Sequence, residues 1–116
     1  FNRMNPFEVW GSGEEVRSFT YVDDLVEGLM LATEKYAVAD PLNICTRETH
    51  NIKEVVSIIL QYMNFKPMIV YCPDKPSSLP YIVSDPSKAE DILHWKARTS
   101  LKEGIKKTIR GALLLA

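Results

Sequence analysis

One stretch constrains this chain more than any other: Val9-Trp10-Gly11-Ser12-Gly13-Glu14-Glu15-Val16-Arg17-Ser18-Phe19-Thr20-Tyr21-Val22-Asp23-Asp24. It reads as a strand, a tight glycine turn, a second strand and the start of a helix. Phe7 and Val9, then Val16, Phe19, Tyr21 and Val22, are the β-branched and aromatic residues that strands favour. Gly11-Ser12-Gly13 supplies the backbone freedom for a reversal between them. Asp23 and Asp24 stand where a helix N-terminus wants acceptors and negative charge. Arg17 is the single cation of the stretch. Its planar fork suits a phosphate, through two parallel hydrogen bonds.

The remaining pattern extends this into a mixed α/β (α+β) unit. Asp24 to Tyr36 has helical spacing, with Leu25, Leu29 and Ala32 on one face. Leu42-Asn43-Ile44-Cys45 is a short strand candidate. Asn51-Ile52-Lys53-Glu54 has capping-box spacing, and the apolar stripe Val55, Ile58, Ile59, Tyr62, Met63 behind it predicts a well-buried helix stopped by Pro67. Met68 to Tyr71 reads as a strand and Asp74 to Pro80 as a proline-punctuated loop. Asp85-Pro86 starts a short helix that reaches Trp95. Ser100-Leu101-Lys102-Glu103 is a second capping box, and it opens a final amphipathic helix with Leu101, Ile105 and Ile109 on one side. The order β-β-α-β-α-β-loop-α-α fits one domain over residues 1–116, with residues 1–5 as the end of an interrupted element.

Charge and cysteine usage narrow the function classes. A formal charge of -1 excludes partners reached by bulk electrostatics, such as nucleic acid or an anionic membrane. No stretch is apolar for long enough to span a bilayer. Cys45 and Cys72 are far apart and form no CxxC, so they read as two thiols of a reducing, cytoplasmic compartment rather than as a metal site.

Trp-Gly-x-Gly-x-x-x-Arg-x-Phe-x-Tyr-Val-Asp-Asp, here Trp10 to Asp24, resembles the substrate-domain signature of the extended short-chain dehydrogenases/reductases. These are the NAD(P)-dependent nucleotide-sugar epimerases and dehydratases, and the subgroup it is most similar to is GDP-fucose synthase. Leu42-Asn43-Ile44 and Asp85-Pro86-Ser87-Lys88-Ala89 with Leu93 and Trp95 resemble further elements of that family's C-terminal lobe. Cys45 and His94 stand where the family pattern has glycine.

The resemblance implies roles for named residues. Arg17 would hold the nucleotide-sugar phosphates, and Trp10 would line the nucleotide pocket. Lys75, Pro76 and Pro80 resemble a loop whose second proline is followed by two basic residues on the diphosphate. Here those positions are Tyr81 and Ile82, which removes two positive charges; Tyr81 keeps one hydrogen-bond donor. Asn43 is the remaining candidate for the pocket. Against each of these stands a plainer reading: Arg17 in a surface ion pair, Trp10 in a core, Lys75 in solvent, Asn43 bonded to backbone.

Three motifs are discounted. Gly11-Ser12-Gly13 opens like a dinucleotide fingerprint, but Val16 stands at its sixth position and no βαβ unit surrounds it. Tyr62/Lys66 and Tyr71/Lys75 share the Tyr-x-x-x-Lys spacing of the family's catalytic pair, which belongs upstream of the Trp10 motif. The resemblance therefore implies a Rossmann lobe that binds NAD or NADP and carries the catalytic residues, none of it within these residues. Such a chain is expected to bind a nucleoside-diphosphate sugar, to lack activity alone, and to pair with its missing lobe or, through the apolar tail Ala112 to Ala116, with a second copy. A small stand-alone binding or interaction module is the alternative.

Overall fold

A computed structural model describes residues 3–115. The interrupted element expected over residues 1–5 includes Phe1 and Asn2, which lie outside the described residues. The elements are β1 (Phe7–Trp10), β2 (Val16–Ser18), α1 (Val22–Lys35), β3 (Thr49–Asn51), α2 (Ile52–Tyr62), β4 (Ile69–Cys72), β5 (Tyr81–Ile82), α3 (Ser87–Leu93) and α4 (Leu101–Leu114). The expected mixed α/β class holds.

The strand pairing departs from the sequence reading. Two small sheets form: β1 pairs with β4 in parallel, and β2 lies between β3, antiparallel, and β5, parallel. β1 and β2 are thus not a hairpin. The Gly11 N–H donates to Cys72 O at 3.0 Å and the Val16 N–H to Pro80 O at 2.8 Å. Each strand's ladder is taken by a partner distant in sequence, and the glycine turn carries the chain from one sheet to the other. β2 also stops at Ser18, and Val22 already belongs to α1.

Leu42 to Cys45 is not a strand, because no neighbouring strand lies beside it among the described residues. Leu42 and Ile44 instead pack against the core formed by Ala89, Leu93 and Trp95, together with Leu31, Ala32 and Tyr36. The third strand is the polar run Thr49-His50-Asn51, which has no apolar alternation to announce it.

The helix signals fare better. Asn51 and Glu54 form the full capping box, with Glu54 N–H to Asn51 Oδ1 at 2.8 Å and Asn51 N–H to Glu54 Oε2 at 3.3 Å. At α4 the Ser100 Oγ accepts from the Glu103 N–H at 3.3 Å, while the Glu103 carboxylate turns to Lys107 at 3.1 Å. Asp85 caps α3 by accepting from the Ser87 N–H and Oγ at 2.9 and 2.6 Å. The Asp23/Asp24 expectation changes form. Tyr21 is the N-cap and makes no side-chain capping bond. Buried Asp24 accepts from the Arg98 and Thr99 N–H groups at 3.2 and 2.8 Å, fastening α1 to the segment before α4.

The chain is flat and thinly cored. Its radius of gyration is 16.6 Å and its extents are 49 × 34 × 19 Å, where a compact domain of this length would have a radius of roughly 13 Å. Val9, Leu60, Ala89, Leu93, Trp95 and Leu101 are the buried apolar residues. The helix α2 is therefore less buried than its stripe predicts: Leu60 alone is fully covered there, and Tyr62 is exposed. Leu29, expected on the inner face of α1, is exposed beside Val22, Val26 and Met30.

Candidate functional site

The topology that rules out a hairpin also creates the site. β1 pairs with β4 in one sheet and β2 with β5 in the other, each pair in parallel. The turn 11–15 and the loop 73–80 both run from the first sheet to the second and lie side by side. A Cβ built on Gly11 would stand 3.2 Å from Ser77 Cβ. Trp10 ends β1 opposite Cys72, just before one crossing, and Arg17 lies on β2 opposite Ile82, just after both.

Four of the five sequence candidates lie along these crossings in two groups, Trp10 with Lys75 at one end and Arg17 and Tyr81 on adjoining strands at the other. Trp10 is 59% exposed, and Lys75 Nζ sits 6.0 Å from its ring centroid, at the outer range of a cation–π contact. Tyr81, 65% exposed, pairs with Val16 next to Arg17. Arg17 is half-buried. Its Nη1 donates to Val16 O at 2.5 Å, and its Nη2 donates to Leu79 O at 2.5 Å and to Ser78 Oγ. The surface ion pair considered for Arg17 does not form. Lys53 takes Glu14 instead, and Glu15 turns inward.

Asn43 is the fifth candidate, and it makes its contact elsewhere. Its Nδ2 donates to Asp85 O at 3.1 Å, at the start of α3. His50 and His94 also stay outside the cluster. His50 lies between Glu48 and Glu54, at 2.8 and 3.1 Å. His94 closes α3 in the left-handed region at φ 51°, which explains why a glycine suits that position.

The sequence reading passed over Glu15. Gly11 and Gly13 take φ of 95° and 81°, turning the Ser12 and Gly13 N–H groups inward on one point. The Glu15 carboxylate fills that point, with Oε1 accepting from Ser12 N–H at 2.9 Å and Oε2 from Gly13 N–H at 2.8 Å. These donors hold the Glu15 carboxyl below the usual carboxylate range, the Ser12 backbone N–H contributing most. The turn is therefore an anion cradle already occupied by the chain's own carboxylate. It does not fit a dinucleotide pyrophosphate, which needs those same N–H groups free. A carboxylate two residues after a Gly-x-Gly turn was the available signal.

Among the described residues no helix is long and apolar enough to cross a membrane, and no cluster of His, Cys, Asp and Glu is arranged to hold a metal. Arg47, the other well-placed guanidinium, is spent on α3. It grips Glu90 through Nε and Nη2 at 2.7–3.0 Å and Ser87 Oγ at 2.8 Å.

The chain was compared with known proteins. The family described as GDP-mannose 4,6 dehydratase matches residues 2–108. GDP-mannose 3,5-epimerase of Arabidopsis thaliana is 33% identical over 102 residues, which is 88% of this chain and 26% of that protein. GDP-L-fucose synthase 1 of Arabidopsis thaliana is 28% identical over 100 residues, 86% of this chain and 31% of that protein. Among solved structures, MoeE5 in complex with UDP-glucuronic acid and NAD superposes with a TM-score of 0.79 at 30% identity, covering 95% of this chain and 37% of that one. The chain thus spans between a quarter and a third of the length of the curated relatives it matches. It is a small mixed α/β domain corresponding to about a third of an extended short-chain dehydrogenase/reductase structure. With residues 2–108 accounted for by one family, the chain belongs to the NAD-dependent nucleotide-sugar epimerases and dehydratases that the GDP-mannose 4,6 dehydratase family describes.

Proposed function

We propose that this chain is the substrate-binding lobe of an NAD(P)-dependent nucleotide-sugar epimerase, dehydratase or reductase, and that it anchors the nucleoside diphosphate at Arg17. The observation that carries this reading is the pair of side-by-side crossings. They carry Trp10 with Lys75 at the end of the first sheet and Arg17 at the start of the second, with Tyr81 on the strand beside it. Arg17 supplies a two-pronged grip on phosphate oxygens, Lys75 adds a second positive charge, and the exposed Trp10 ring offers a face to the base. Asn43 supports the segment leading into α3 through its bond to Asp85 O.

NAD or NADP, when bound, supplies the hydride chemistry of such enzymes. The glycine turn of this chain offers it no cradle, because Glu15 occupies those donors. The cofactor therefore belongs on an NAD(P)-binding lobe carried by the rest of the enzyme, and the chain alone is catalytically incomplete. Two further features support such a partner lobe. α1 presents Val22, Val26, Leu29 and Met30 to solvent, and among the described residues the run 42–45 has no strand beside it. Contiguous apolar surface of that kind calls for a cover. In the isolated chain the exposed Leu113, Leu114 and Leu115 are a contact through which two copies associate. The expected tail contact also included Ala116, which lies outside the described residues.

Tyr81 and Ile82, standing where two basic residues are expected, favour a second reading as a binding or interaction module without sugar-nucleotide chemistry. Calorimetric titration with GDP, UDP, CDP and dTDP separates the two. Saturable heat with one nucleotide supports the lobe and names its base. A folded chain that gives none favours the module.

A further inference from the structure

The Arg17 guanidinium is closed in this structure. Nη1 donates to Val16 O at 2.5 Å and Pro80 O at 3.4 Å, and Nη2 donates to Leu79 O at 2.5 Å and to Ser78 Oγ. Three of these four acceptors come from one tripeptide, Ser78-Leu79-Pro80, and all four are uncharged. A diphosphate gripped by Arg17 needs the same terminal nitrogens, because two-pronged phosphate recognition uses parallel N–H donors. Tripeptide and phosphate cannot hold Nη2 together.

The loop that carries the tripeptide is otherwise lightly held. Residues 73–80 are all exposed. Their backbone is fixed at its two ends, by Lys75 N–H to Cys72 O at 3.1 Å and by Val16 N–H to Pro80 O at 2.8 Å. β5, which follows, is two residues long. Among the described residues, every side-chain hydrogen bond that reaches the loop comes from Arg17. Pro76 and Pro80 have no N–H with which to add more.

We propose that Ser78-Leu79-Pro80 is a latch closed over Arg17, and that a diphosphate opens it by taking Nη2 from Ser78 Oγ and Leu79 O. The inference rests on the phosphate role proposed above for Arg17. Arg17 is an ionised donor in both arrangements, but only a phosphate adds a full opposite charge and two parallel acceptors to match its fork, so the exchange runs toward phosphate. Freeing the loop opposes it and lowers the apparent affinity, as in any site whose competent state must first be populated. The loop is thus a competitor of the ligand, and its opening is the signal that the site is filled.

Hydrogen exchange of the 116-residue chain with and without inorganic pyrophosphate, paired with calorimetry, tests this. Residues 74–82 should exchange several-fold faster when pyrophosphate is bound. Ser78→Ala should exchange fast there without ligand and bind pyrophosphate a few-fold more tightly than the wild type. Arg17→Gln should exchange fast whether or not pyrophosphate is present. If pyrophosphate binds through Arg17 but leaves or slows exchange in 74–82, the latch is wrong and the phosphate role of Arg17 stands. If Ser78→Ala binds more weakly, Ser78 is a ligand rather than a competitor, and the latch is again wrong. If neither the wild type nor Ser78→Ala binds pyrophosphate, the latch fails together with the reading it rests on.

Discussion

Glu15 closes its carboxylate onto Gly13: Oε2 accepts the Gly13 N–H at 2.8 Å while Oε1 accepts the neighbouring Ser12 N–H at 2.9 Å. The turn between the two sheets therefore has its own anion. Its backbone, with positive φ at Gly11 and Gly13, is held by a charge rather than by a hydrophobic contact.

This has a consequence in acid. The folded-state pKa of Glu15 is lowered. Its contribution to stability is thus present above the unfolded value and lost as pH falls through the folded one. Asp85, held low mainly by the Ser87 hydroxyl, and Glu90, held low by Arg47, act in the same direction. Thermal unfolding should show a midpoint that falls as pH drops below about 5, across and below the ordinary carboxylate range. Glu15→Gln should lower the midpoint at neutral pH and flatten that slope. A variant with the wild-type acid profile would show that the carboxylate does not hold the turn.

Gly28 on α1 is the point where the helix meets the core. A Cβ there would stand 2.4 Å from Ile44 Cγ2 and 3.1–3.2 Å from the Trp95 ring. Trp95 is 1% exposed and has no room to move, so the half-buried Ile44 must give way. Gly28→Ala should cost about 1–3 kcal/mol by overpacking, despite the better helix propensity of alanine. Urea denaturation measures this, and a stabilised variant would place the α1 contact elsewhere.

His94 ends α3 at φ 51° and ψ 38°, a left-handed backbone. A side chain there is strained by about 1 kcal/mol, and glycine is not. His94→Gly should raise stability by about that amount in the same denaturation experiment. A loss instead would mean that the imidazole makes a contact stronger than the backbone strain.

The parts of this fold that are legible in the sequence are those governed by neighbours a turn apart. Asn51 and Glu54 announce α2, Asp85-Pro86 announces α3 and Ser100 announces α4 because capping is local. Strand pairing is not local. Val9 and Val16 look like two arms of one hairpin because the glycines between them permit a reversal, yet their partners are Tyr71 and Tyr81 on one side and Asn51 on the other. Leu42 to Cys45 has strand composition without a neighbour to pair with, and Thr49 to Asn51 has a neighbour without strand composition. At the site, Arg17 stands out as the single cation of its segment, while Trp10 and Lys75 pair at the other end of the crossings and Tyr81 lies on the strand beside β2. The acceptors that hold Arg17 do not stand out, since three of the four lie more than sixty residues away and three are backbone carbonyls. Only the crossing of the two loops brings them together.

The phosphate role proposed for Arg17 is read most directly by isothermal calorimetry of the wild type and Arg17→Ala with whichever of GDP, UDP, CDP and dTDP binds best. Saturable binding should weaken about tenfold in the variant, a loss of about 1.4 kcal/mol. A folded Arg17→Ala that binds the same nucleotide as tightly as the wild type would contradict it.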